Sequence, residues 1–127
     1  MQLRVTGSAA VVRGDAGLLE EMLFNLCDNA ITYNRPGGWA EISVSLEQGA
    51  PVVAVRDNGI GIPPEHQGRV FERFYRVDKS HSRATGGTGL GLSIVKHGAQ
   101  FHQAEVQLSS TPDLGTTIYL QFPAENP

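Results

Sequence analysis

Residues 40 to 46 alternate strictly, with Ala40, Ile42, Val44 and Leu46 on one side and Glu41, Ser43 and Ser45 on the other. Successive side chains of an extended strand point to opposite faces, so this pattern predicts a strand with one face in a core. A break at Gln48-Gly49-Ala50 leads to Val52-Val53-Ala54-Val55, and Val106 with Leu108, then Ile118 with Leu120 and Phe122, repeat the alternation. A sheet with one apolar face needs a cover. From Leu18 to Tyr33 the residues Leu19, Met22, Leu23, Leu26, Ala30 and Ile31 follow a helical period, and residues 90 to 102 carry a second helical stretch. Asp15 is placed to cap the helix over 15 to 33, and Asn34-Arg35-Pro36-Gly37-Gly38 to end it. Upstream, Leu3 with Val5 and then Ala10 to Val12 read as two short strands interrupted by Gly7-Ser8. These elements predict a two-layer α/β sandwich, and 127 residues suffice for one such domain, spanning 1–127, but not for two.

A net charge of -3 with dispersed Lys and Arg offers no footprint for nucleic acid, which is not expected as a partner. The lone Cys27 excludes an internal disulfide and a thiol metal site, fits a reducing compartment, and lies in an apolar run where core packing is expected. No apolar run approaches the roughly 20 residues needed to span a bilayer, so no direct membrane insertion is expected.

Three segments have the residue types of chemistry. In Asn25-Leu26-Cys27-Asp28-Asn29-Ala30-Ile31-Thr32-Tyr33, helical spacing puts Asn25, Asn29 and Thr32 or Tyr33 on one face. That face is either solvated or aimed at a ligand. Asp57-Asn58-Gly59-Ile60-Gly61-Ile62-Pro63-Pro64 follows the strand ending at Val55. It is either a polar turn or a sharp bend that lets backbone approach a flat ligand while Asp57 accepts from an exocyclic amine. Gly86-Gly87-Thr88-Gly89-Leu90-Gly91-Leu92-Ser93-Ile94-Val95-Lys96 opens a helix on glycines, as a hinge or as a phosphate site. It is not a phosphate loop of the Walker kind, because Leu92 stands at the lysine position, nor a dinucleotide fingerprint.

In this order the segments resemble the N, G1 and G2 boxes of the histidine-kinase catalytic domain. That domain belongs to an ATPase superfamily shared with gyrase, the heat-shock chaperone ATPases and MutL, and the sensor kinases of the phosphate-regulon and osmosensor types are similar. Phe71-Glu72-Arg73-Phe74-Tyr75-Arg76-Val77-Asp78 supplies the F box, and the resemblance covers roughly residues 10 to 122. It implies the Bergerat ATP-binding fold, with a mixed, mostly antiparallel sheet covered by helices on one face. It also implies ATP and Mg2+ as cofactors. Asn29 would hold Mg2+, Asn25 would contact the phosphate region and serve catalysis with Arg76, and Arg76 would reach the γ-phosphate. Asp57 would accept from the adenine amine and Tyr33 would lie against the ring. Gly59 and Gly61 would shape the base pocket, and Gly87, Gly89 and Gly91 would give phosphates access to backbone. Thr32, Ile62, Phe74, Tyr75, Thr88, Leu90 and Leu92 complete the implied nucleotide set. Residues 76 to 88, polar almost throughout, would be a lid ordered by the nucleotide.

The implied activity is transfer of the γ-phosphoryl group to a histidine in two-component signalling. His66, His81, His97 and His102 lack the family's His-Glu acceptor pattern and suit surface or packing roles. The acceptor is therefore expected on a separate dimerisation domain of the same kinase, with a response regulator as indirect partner. Phe71, Phe74 and Tyr75 would offer that domain a contact patch. The isolated chain is expected to be a monomer and cytoplasmic, its parent anchored in the bacterial membrane. Two departures stand out: Thr32 where the family usually has a phosphate-binding lysine, and His102-Gln103-Ala104 where His-Gly-Gly is usual. An ATP-hydrolysing relative would keep a glutamate where Asn25 stands, and an amide cannot act as general base. A nucleotide-sensing binding module, which Thr32 favours, and a serine kinase of the anti-sigma type are the other readings.

Overall fold

The Asp15 carboxylate starts the first helix by accepting from Leu18 N at 3.0 Å through Oδ1. In this computed structural model, which describes residues 2–7, 12, 14–72 and 91–124, that helix is α1 (Ala16–Thr32). It follows β1 (Gln2–Gly7) and precedes β2 (Trp39–Glu47), β3 (Ala50–Asp57), α2 (Pro64–Gln67), α3 (Gly91–Phe101), β4 (Glu105–Thr111) and β5 (Gly115–Gln121). The strands form a sheet of order β1-β2-β3-β5-β4, parallel only between β1 and β2. This is the mixed, mostly antiparallel sheet expected. The second expected strand, Ala10 to Val12, lies outside the described residues except for Val12.

Register explains how the alternation becomes a core. Ile42, Val55, Ile118 and Leu108 face one another in one cross-strand row, and Val44, Val53, Leu120 and Val106 in the next. Met22, Leu26 and Ala30 of α1, with Val95 and Ala99 of α3, close over these rows. Central β3 is buried from Ala50 to Val55, on both faces. The hairpin joining it to β2 turns through Gln48 (φ 53) and Gly49 (φ 82), the left-handed pair that a two-residue connection between twisted strands requires.

Several residues depart from the simple pattern, Leu23 and Ile31 of α1 among them, both exposed. Leu46 shares the core-side parity of β2 yet is 55% exposed, because it stands at the strand end beyond the helices. Leu3 and Val5 pair with Ala40 and Ile42 and are also exposed on the edge strand. Cys27 is only partly buried, on the flank of α1; burial still pushes its thiol above the ordinary value.

The two helices touch through Gly98, where an added Cβ would run into the Met22 side chain, itself wholly buried. His102 fastens their ends. Its Nδ1 lies 2.7 Å from Gly98 O, which can only accept, so Nε2 is left to accept from Asp15 N at 3.1 Å. The expected packing role of this histidine is thereby observed. Replacing Gly98 by valine should destabilise the nucleotide-free chain by about 1–3 kcal/mol through overpacking. Thermal unfolding checks this: a Gly98→Val chain melting with the wild type would mean that the helices part at no cost.

Candidate functional site

The apolar rows of the sheet end in a polar one. Continuing the register by two residues places Ala40, Asp57, Thr116 and Ser110 side by side, on the same face as Ile42, Val55, Ile118 and Leu108. A carboxylate and two hydroxyls thus occupy positions that further along the sheet belong to the core.

Asp57 ends β3 half-buried, with Oδ1 accepting from Gly59 N at 2.9 Å. Burial pushes its carboxyl above the ordinary value, against the pull of the Gly59 and Thr116 backbone N–H groups. Such a carboxylate is poised for a donor brought by a ligand. Thr116 is 7% exposed, and its Oγ1 lies 2.8 Å from Ser110 Oγ. Ser110 Oγ donates to Gly115 O at 3.1 Å and accepts from Ile62 N at 2.8 Å. With its own proton given to Gly115, Ser110 accepts that of Thr116.

The loop after β3 is built by close backbone approach. Gly61 (φ 73) lies against Thr111 O, and Gly59 against Tyr33 O; a side chain at either position would collide. Ile60 N donates to Tyr33 O at 3.1 Å, joining this loop to the end of α1. Ile62 is buried, and Gln67 Nε2 of α2 donates to Ile62 O at 2.8 Å and to Ser110 O at 3.1 Å.

On the helical side, Asn25 Nδ2 donates to Glu21 O at 2.7 Å. That leaves Oδ1 beside the first turn of α3, where a Cβ on Gly91 would stand 3.1 Å from it. Asn29 is half-buried, and its amide has no hydrogen-bond partner among the described residues. Thr32 is the last residue of α1 and Tyr33 its C-cap. Leu92 packs partly buried against the core. Asn25, Asn29, Thr32, Tyr33, Asp57, Gly59, Gly61, Ile62, Gly91 and Leu92 therefore all fall on the elements expected of them. Phe74, Tyr75, Arg76, Gly87, Thr88, Gly89 and Leu90, with the whole of the expected lid, lie outside the described residues.

The donor set limits what metal can be held. Among the described residues no three His, Cys, Asp or Glu side chains come together, so a closed transition-metal site is not formed by them. Mg2+ asks less, because it binds through one or two protein oxygens and completes its shell with phosphate and water. The uncommitted amide oxygen of Asn29 suits that role.

Ser110, Thr116 and Gln67 belong to this site without having been expected there. For the first two a signal existed, since stepping back by two from Leu120 and Ile118 reaches Thr116, and forward by two from Leu108 reaches Ser110.

Taken together, the sheet and the two helices define an α/β sandwich whose core face ends in a polar row. Residues 14–126 match the histidine kinase-, DNA gyrase B-, and HSP90-like ATPases, and the chain belongs to that family. The sensor-like histidine kinase SenX3 of Mycolicibacterium smegmatis is 49% identical over 125 residues, which is 96% of this chain and 33% of that protein. Among solved structures, the mycobacterial sensor histidine kinase MprB superposes with a TM-score of 0.82 at 31% identity, covering 96% of this chain and 80% of that one. Full-length ShkA in complex with AMPPNP superposes with a TM-score of 0.79 at 25% identity, over 96% of this chain and 25% of that one. The fold is that of solved histidine-kinase catalytic domains. The chain spans a third or less of the length of the curated relatives it matches. Among the described residues no helix is long and apolar enough to cross a membrane.

Proposed function

We propose that this chain, as one catalytic domain over residues 1–127, binds ATP with Mg2+ and transfers the γ-phosphoryl group to a histidine of a separate dimerisation domain of the same kinase. A response regulator receives the phosphoryl group afterwards, and the domain works in the cytoplasm of a membrane-anchored parent. The observation that carries this reading is the polar row. A half-buried Asp57 lies at the end of the core face, and on the covering helices the Asn25 amide stands against the first turn of α3.

In this reading Asp57 accepts from the adenine amine and Tyr33 flanks the ring. Gly59, Gly61 and Ile62 fix the loop that bounds the base. The α3 N-terminus would turn its amides toward phosphate, where the helix dipole favours negative charge. Asn29 offers its amide oxygen to Mg2+, and Asn25 holds the phosphate end beside α3. Bound Mg2+ neutralises charge that builds on the phosphate oxygens during transfer. Thr32, Phe74, Tyr75, Arg76, Gly87, Thr88, Gly89, Leu90 and Leu92 complete the site by resemblance, with Arg76 serving the γ-phosphate. Catalysis of this kind is mostly positioning and charge neutralisation. An amide at position 25 cannot activate water, which favours transfer over hydrolysis.

The test incubates the chain with labelled ATP, Mg2+ and a separately made acceptor-histidine hairpin. Acid-labile label should appear on the hairpin and not on the chain. Label on the chain alone, or rapid ATP hydrolysis without the hairpin, would remove the transfer reading. Binding of ATP with neither outcome would favour the sensing module that Thr32 suggests.

A further inference from the structure

Arg35 lies just past the end of α1, in the connection to β2, and its guanidinium is spent on two backbone carbonyls far away in sequence. Nη2 donates to Gly59 O at 2.8 Å, 24 residues away, and to Asp113 O at 2.6 Å, 78 residues away. Those two acceptors belong to the loop after β3 and to the turn between β4 and β5. The same two segments are also joined directly, Asp113 N donating to Ile60 O at 2.8 Å. The turn is not a relaxed one, since Asp113 stands at φ 66 and Gly115 at φ 134, with Gly115 against the Asp57 backbone. Arg35 itself is held from behind: its own N–H donates to Asn34 Oδ1 at 2.8 Å, and Asn34 Nδ2 donates to Trp39 O at 2.9 Å and to Ala30 O at 3.2 Å.

Gly59 is thus engaged at both ends of its backbone. Its carbonyl accepts from Arg35, and its N–H donates to Asp57 Oδ1. We infer that Arg35 is a positioning residue for base recognition, fixing the Asp57 carboxylate through Gly59 and so setting selectivity for an adenine over a guanine nucleotide; this rests on the nucleotide reading above. A planar guanidinium suits the task because one fixed fork can serve two carbonyls at once, and its charge strengthens both bonds. Without it, the loop keeps only neutral contacts, those of Gln67 and Ser110 to Ile62 among them, and Gly59 N–H holds one oxygen of Asp57 less firmly. A carboxylate free to turn tells an amine from a carbonyl less well.

The experiment compares wild type, Arg35→Met and Arg35→Lys by calorimetric titration with Mg-ADP and Mg-GDP, together with thermal unfolding without nucleotide. Arg35→Met keeps the apolar stem and removes both donors. It should weaken Mg-ADP binding by about tenfold, the scale of a charge-assisted hydrogen bond lost at a partly exposed site. The ratio of ADP to GDP affinity should narrow, beyond any fall in the nucleotide-free midpoint from loss of the two hydrogen bonds. Arg35→Lys, keeping the charge, should recover part of both effects. Wild-type affinity and an unchanged ratio in Arg35→Met would overturn the inference while leaving the nucleotide reading intact. A weakened ADP affinity with an unchanged ratio, a lowered midpoint and no rescue by lysine would overturn it too, leaving Arg35 a structural strap. Failure of the wild-type chain to bind either nucleotide would remove the nucleotide reading itself, and the inference with it.

Discussion

Replacing Asp57 by asparagine should weaken binding of Mg-ADP and Mg-ATP by about ten- to a hundredfold, the scale of a hydrogen bond to a charged group, while raising the melting point of the nucleotide-free chain. The two effects have opposite signs for one reason. Burial pushes the Asp57 carboxyl above its ordinary value, outweighing the Gly59 and Thr116 backbone donors. A carboxyl that protonates more readily folded than unfolded stabilises the fold below its unfolded value, and that contribution is lost as pH rises through the raised one. At neutral pH the ionised Asp57 therefore weighs against the fold, and asparagine relieves the strain while still offering an oxygen to Gly59 N. The same linkage predicts a pH effect in the wild type. Acidification through the raised value should favour the fold at this position and weaken nucleotide binding, because the protonated carboxyl is a poorer acceptor for an amine. Calorimetry and thermal unfolding over a pH series measure both. A lower melting point for Asp57→Asn, with nucleotide binding untouched, would make Asp57 a structural turn residue.

Asn29→Ala should abolish most of the gain in nucleotide affinity that Mg2+ confers, about tenfold or more, and leave metal-free binding nearly unchanged. Alanine is the better helix former, so α1 should persist and the loss cannot be assigned to unfolding. Titrations of ADP with Mg2+ and with chelator separate the two. Equal losses in both would show that the Asn29 amide meets the phosphates or the base rather than the metal. No loss in either would return it to an ordinary polar position on α1.

Much of this architecture was legible because it depends on near neighbours. Asp15 capping Leu18 is a contact within one turn. The helical period from Leu19 to Ile31 finds the face that meets the sheet through Met22, Leu26 and Ala30, its buried residues, while Leu23 and Ile31 of the same set are exposed. Asn25, Asn29 and Asp57 could be singled out because an amide stripe on an apolar helix and a carboxylate closing an apolar strand are locally anomalous.

Alternation along a strand says which side chains share a face, but not which strand lies alongside or how far a covering helix reaches. Hence Leu46 follows the pattern and remains exposed, and Leu3 and Val5 line a core face that no described helix covers. Ser110 and Thr116 carry the right period, yet only the pairing of β4, β5 and β3 sets them beside Asp57. Arg35 reads in sequence as a charged residue in a turn. Its partners are carbonyls, which any residue supplies, so nothing in the amino-acid order marks them. The elements, their apolar faces and the groups able to meet a nucleotide follow from residue order, because backbone periodicity and side-chain chemistry are local. Tertiary packing alone decided the register and the long-range hydrogen bonds that turn those groups into a site, because such bonds form only once distant segments are brought to within about 3 Å of one another.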